Sequence, residues 1–142
     1  MADRHRRVRG EGGQAIAELV IVAPVLLLVI VLMIGLGRID SAQGDVESAA
    51  RAAVQAAVVQ SDPADAQAQA AEAVTSTLAG AGLTCPSPQV TTDTQNFVPG
   101  GSVSVTVTCV TSLADVTVPG LPGSKTLSAT STAHIDPFRA VS

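Results

Sequence analysis

From Leu19 to Gly37 the sequence LVIVAPVLLLVIVLMIGLG carries no charged residue. At the helical rise this run is about 28 Å long, close to the hydrocarbon thickness of a bilayer. A core helix of a soluble fold keeps a polar stripe, and this run is apolar all round, so the pattern predicts a membrane-spanning helix. Pro24 lies inside it. A proline removes one backbone donor and kinks or locally melts a helix, which membrane helices tolerate. Two readings follow: an ordinary helix kink, or local weakness that eases extraction from the bilayer.

Past the span the period is still helical but the residues change. Ile39, Ala42, Val46, Ala49, Ala50, Ala53 and Ala57 recur at three- and four-residue spacing, with Asp40, Gln43, Glu47, Arg51 and Gln55 mostly opposite. The helix is therefore expected to continue to about Gln60 as an Ala-rich stalk. Glu47 and Arg51 stand in the favourable acid-before-base order one turn apart. A stripe of alanines lets a second helix approach closely. A bundle of like helices and the protein's own sheet both fit it at this stage.

Ser61-Asp62-Pro63-Ala64-Asp65 reads as a break and a new start. Asp62 suits the N-cap, Pro63 the first helical position, and Asp65 the positive end of the helix. A second helix is predicted over Pro63–Ala79, with Ala71, Val74 and Leu78 as a thin apolar side, stopped by Gly80 and Gly82. From Leu83 onward Thr, Ser, Val, Pro and Gly dominate. Val103, Val105, Val107 and Cys109 alternate with Ser104, Thr106 and Thr108, the period of a half-buried strand. Thr126–Ile135 alternates through Leu127, Ala129, Ser131 and Ala133, and Gln89–Gln95 is a weaker strand candidate. Pro99-Gly100-Gly101 reads as a turn, and Leu113–Ser124, with Pro119, Gly120, Pro122 and Gly123, as a loop. The expected fold class is α+β: a long transmembrane helix continuing as a stalk, a second short helix, then a small antiparallel sheet. The corresponding segments are 1–13 (basic leader), 14–37 (span), 38–81 (helical stalk) and 82–142 (Ser/Thr-rich β domain).

Charge adds direction to this scheme. The chain of 142 residues has a net charge of -4, yet residues 1–13 hold Arg4, Arg6, Arg7 and Arg9 against Asp3 and Glu11, while the remainder holds four bases and ten acids. Basic residues stay on the cytoplasmic side, so the N-terminus is expected inside and everything after Arg38 outside. A secretory signal peptide also has a basic front, but its apolar region is shorter, roughly 7–15 residues, and a small-residue cleavage site follows. Gly35-Leu36-Gly37 is a weak site of that kind, and the length of the run favours an anchor.

The acidic body, with Phe97 and Phe138 as its only aromatics, lacks the basic face and stacking surfaces that nucleic-acid binding needs. His5 and His134 stand far apart in sequence, Asp136 beside His134 reads as part of an exposed strand, and neither a metal set nor a catalytic pair assembles. The expectation is a non-enzyme without metal or cofactor. Cys85 and Cys109 are too few for a zinc site. In an oxidising compartment they would form one disulfide, closing a loop of about 25 residues and stabilising a small domain by roughly 3 kcal/mol.

Glu18, directly before the uncharged run, is the most informative position. An ionised carboxylate costs about 2.5–3.5 kcal/mol at the centre of a membrane helix, and less near its edge. It either reaches into the headgroups or finds a positive partner. A cut after Gly13 would supply one, because the new amine at Gln14 would begin the helix and Glu18 would become its fifth residue.

Gly13-Gln14-Ala15-Ile16-Ala17-Glu18, after a short Arg-rich leader and before an apolar run with Pro24, resembles a type IV prepilin processing signal. More specifically, RGEGGQAIAELVIVAPVLLLVIVLMIGLGR is similar to the N-terminal signature of TadE-like minor pilins (pseudopilins) of tight-adherence (Tad, type IVc/Flp) pilus systems. The similarity covers about residues 8–60, including SAARAAVQAA, and more loosely LSATSTAHIDPFR. Leu19 departs from the aromatic that many Tad-type signals carry after the glutamate, which favours a minor over a major pilin. The resemblance implies cleavage after Gly13 by a membrane aspartic prepilin peptidase, and pairing of Glu18 with a neighbouring subunit's N-terminal amine. It further implies the lipid bilayer, other pilins and Tad assembly-platform subunits as partners, with the protein single-pass in the cytoplasmic membrane or carried into a surface pilus. The competing reading is a single-pass surface anchor that displays a binding or adhesion domain outside any pilus.

Overall fold

A computed structural model describes the backbone of residues 11–116 and 122–138, with side chains from Leu19 onward, Val116 excepted. Helix α1 (Glu11–Val58) runs through 48 residues, with Pro24 inside it. At ~1.5 Å per residue it is about 72 Å long. Along its first part the large apolar side chains stand uncovered, Leu19 being 70%, Leu28 68% and Met33 67% exposed. Among the described residues nothing covers the apolar run.

From Ala42 the same helix becomes the spine of a body. Ala42, Val46, Ala49, Ala50, Ala53, Val54 and Ala57 are all buried. They join one core with α2 and the sheet. The protein's own fold thus occupies the small-residue stripe, and the predicted alternative of a bundle of like helices has no seam left there. Small side chains serve the packing because they bring a helix backbone close to its neighbours.

Helix α2 (Pro63–Ala81) starts where its cap residues place it. Asp62, in an extended conformation, accepts hydrogen bonds at Oδ1 from the backbone N–H groups of Ala64 (2.7 Å) and Asp65 (3.4 Å). The helix passes through Gly80 and stops only at Gly82, which adopts a left-handed φ of 72°. Gly82 N–H donates to the Ala79 carbonyl and Leu83 N–H to that of Leu78, both at 3.1 Å. This is a Schellman closure, and it needs a residue without a Cβ penalty at its left-handed position. The buried side is Ala66, Ala70, Val74 and Leu78. Ala71, expected on that side, faces out instead, because the strict four-residue spacing of the true contacts carries Ala70 inward.

Strands β1 (Gln89–Asp93), β2 (Ser102–Ser112) and β3 (Ser124–His134) form an antiparallel sheet in the order β1-β2-β3. Val103, Val105, Val107, Cys109 and Thr111 of β2 turn inward, with Leu127 of β3 and Ile135 just beyond it. The opposite face is a ladder of hydroxyls: Ser104 with Thr132 (3.0 Å), Thr106 with Thr130 (2.9 Å) and Thr108 with Ser128 (3.2 Å). In the turn between β1 and β2, Phe97 folds into the core. A Cβ on Gly101 would collide there with the Asn96 carbonyl oxygen.

The expected loop after β2 begins instead as a helical turn, α3 (Leu113–Val116), and β3 starts at Ser124. Pro119 and Gly120 of that predicted loop lie outside the described residues. The disulfide expected from the sequence is present: Cys85 and Cys109 are bonded, with Cα atoms 5.7 Å apart. It ties the segment leaving α2 to the central strand.

Candidate functional site: the N-terminal segment and its junction with the body

The residues singled out for processing and assembly fall on α1. Gly13, Gln14 and Glu18 belong to its helical backbone, and Pro24 follows in the same helix. Arg4, His5, Arg6, Arg7 and Arg9 lie outside the described residues. Gln14 and Glu18 are one turn apart, a backbone rise of ~6 Å, and Glu18 precedes the first buried body residue, Ala42, by ~36 Å. The pairing candidate and the folded body therefore occupy separate ends of one rod. Among the described residues the nearest base along α1, Arg38, stands ~30 Å of helix from Glu18.

Pro24 provides no N–H for the carbonyl of Val20, one turn earlier. In lipid an unpartnered carbonyl is costly, and water cannot reach it as it would in a soluble helix. The backbone of α1 nonetheless runs on as helix through Pro24.

The junction is abrupt. Arg38 ends the uncharged run, Ile39 is already half-buried and Ala42 is fully buried. Arg38, Ser41, Ala42 and Asp45 of α1 line a hollow with Ala81, Gly82 and Leu83 at the end of α2 and with Asp115 of α3. Higher on the body, Gln43 Nε2 donates to the Ser128 carbonyl at 3.0 Å, on the edge of β3 that β2 does not use. Gln43 is opposite the stripe by its spacing alone; its bond to β3 depends on which strand lies alongside, and no local signal carries that. Arg51 and Glu47 pair at 3.5 Å as their spacing predicts, both well exposed, so the pair contributes little.

Chemistry elsewhere is sparse. Among the described residues no group of three or more His, Cys, Asp or Glu side chains is placed to hold a metal ion. His134 and Asp136 are exposed at the end of the body far from the span, beside Val58 and Val59.

Residues 13–55 match the family model described as TadE-like protein, so the matched part is the span and the α1 stalk, and α2 and the sheet lie outside it. No curated protein and no solved structure matches the chain.

Proposed function

We propose, from a TadE-like segment carried on one unbroken helix, that this chain is a Tad pilus-associated membrane protein acting as a minor pilin. The observation that carries the reading is the position of Gly13, Gln14 and Glu18 at the head of an apolar helix that leads without a break into a folded body. The arginine leader holds the N-terminus on the cytoplasmic side. The prepilin peptidase then hydrolyses the Gly13–Gln14 bond: water adds across the peptide, the new carboxylate leaves with the leader, and the amine stays on Gln14. Gly12 and Gly13 favour this step, since each glycine weakens a helix by about 0.8–1 kcal/mol relative to alanine and the strand-like substrate conformation is easiest to reach there.

Cleavage changes the electrostatics of the helix start. It removes four arginines and creates one amine in the first turn. The Glu18 carboxylate, costly at the edge of the bilayer while unpaired, then has a partner chemistry available: the terminal amine of a neighbouring subunit. A charge pair formed in lipid between subunits sets their relative height, so Glu18 acts as a register residue. The body, held outside, supplies contacts to other pilins and to the assembly platform. Its role in this reading is structural, without an enzymatic step of its own.

The mature N-terminus tests the proposal. Mass analysis of protein isolated from cells is expected to begin at Gln14. A start at residue 1 or 2 supports a plain surface anchor, and a start near Arg38 a secreted domain. The Glu18→Ala variant is expected to be cleaved and inserted yet to fail in pilus assembly. Normal piliation by that variant would refute the pairing role.

A further inference from the structure

The course of β3 beside α1 determines how far the body reaches toward the bilayer. Gln43 is bonded to Ser128, Glu47 and Arg51 line a groove with Ser128–Ser131, and Val58 and Val59 line another with His134 and Asp136. Between Gln43 and Val58 the helix climbs ~22 Å, while Ser128 to His134 or Asp136 spans ~20–27 Å of strand. The two elements thus run in the same direction, nearly side by side.

The same scale can be carried downward. β3 begins at Ser124, before Ser128, which is ~14 Å of strand, whereas Gln43 stands only ~7 Å of helix above Arg38. On this scale the start of β3 lies between the level of Arg38 and ~6 Å to its membrane side, at about the last turn of the uncharged run. Ser112 pairs with Ser124, and Leu113 N–H donates to the Gly123 carbonyl at 3.0 Å, so the end of β2 shares that level. Asp115 of α3 meets Arg38 and Ser41 around the hollow at the junction, an independent sign that this end of the body is the low one.

Its exposed residues include Asp115, Pro122, Gly123, Ser124 and Lys125. Two of them are charged and would resist entry into hydrocarbon. The headgroup layer on each side of a bilayer is ~5–7 Å deep, matching the depth this end must occupy. Lys125, exposed at this end, carries a charge that suits phosphate oxygens, and the exposed Asp115 one that suits ammonium groups.

We propose that the β2–β3 end of the body is a second membrane contact, seated in the outer phospholipid headgroup layer beside the point where α1 leaves the bilayer. The proposal rests on the membrane-spanning reading above. It makes the bilayer surface, besides the span, part of what holds the body upright.

Spin labels on the full chain test it, with the Cys85–Cys109 bridge intact and the protein in nanodiscs of phosphatidylethanolamine and phosphatidylglycerol. Labels are placed through Ser124→Cys, through Val98→Cys at the far hairpin, and through Val29→Cys in the span. Thr126→Cys serves as a second probe of the low end. Collisions with a water-soluble nickel chelate are expected to be severalfold rarer at 124 and 126 than at 98, and oxygen collisions most frequent at 29. Equal nickel accessibility at 98, 124 and 126, with 29 still in lipid, overturns the proposal and leaves the span intact. Nickel access at 29 instead overturns the membrane-spanning reading itself, and the proposal with it.

Discussion

Loss of the Cys85–Cys109 bridge is expected to weaken the body while leaving the span helical. The bridge closes a loop of about 25 residues between the end of α2 and the middle of β2, and the chain-entropy account gives it ~3 kcal/mol. That is a large share of the ~5–15 kcal/mol that keeps a typical domain folded. It is larger still here, because the core is built from alanines and valines and buries little area per residue. Cys85→Ala is the cleaner perturbation: Cys85 is half-buried, whereas Cys109 is 0% exposed and its removal would also open a cavity. For a body of this size each kcal/mol moves the melting temperature by ~4–8 °C, so the variant should melt ~12–24 °C lower. Far-UV circular dichroism of the detergent-solubilised chain reads this directly, the span contributing a helical signal that persists above the transition. If the variant melts within a few degrees of the parent, or if natively exported protein titrates with two free thiols, the bridge is not the staple described.

Two further outcomes follow from the core. Ala50→Leu, at a position 1% exposed between α1 and its neighbours, should destabilise the body by ~1–3 kcal/mol through overpacking, while Ala64→Leu on the exposed side of α2 should leave the urea midpoint unchanged; equal midpoints for both would mean the stripe is not buried in the body. Thr111 is 1% exposed and its hydroxyl has no hydrogen-bond partner among the described residues, so Thr111→Val should raise stability by ~1 kcal/mol; a lowered midpoint in urea unfolding would show that the hydroxyl is bonded after all.

Features set by local rules were readable from the sequence. The uncharged run, the Asp62-Pro63 start of α2 and the alternation of Val103, Val105, Val107 and Cys109 each follow from a pattern a few residues wide, and all three appear in the structure. The errors arose where neighbours decide. Of the two glycines expected to stop α2, Gly80 and Gly82, the helix passes the first and ends at the second, two residues beyond the expected Ala79. Ala71 and Ala70 are identical in propensity, and only the sheet and α1 determine which of them is buried. The first turn after β2 forms because Ser112 Oγ accepts from Ala114 N–H at 3.1 Å, a cap that Leu113-Ala114-Asp115 alone did not announce. For the candidate site, Gly13, Gln14 and Glu18 were legible as a spacing, whereas the junction of Arg38 with Asp115 and the bond from Gln43 to β3 join residues that are distant in sequence. The hydroxyl ladder also needed the register of β2 against β3 before its pairs could be named.

The absence of a joint between Arg38 and Ala42 has a mechanical consequence. In the membrane-anchored reading proposed above, a sideways force on the turn between β1 and β2 would act on a lever whose other arm is the apolar part of α1. The helix, which the described residues show running without a break from span to body, would pass that torque on as tilt, shared with whatever seats the body at the surface.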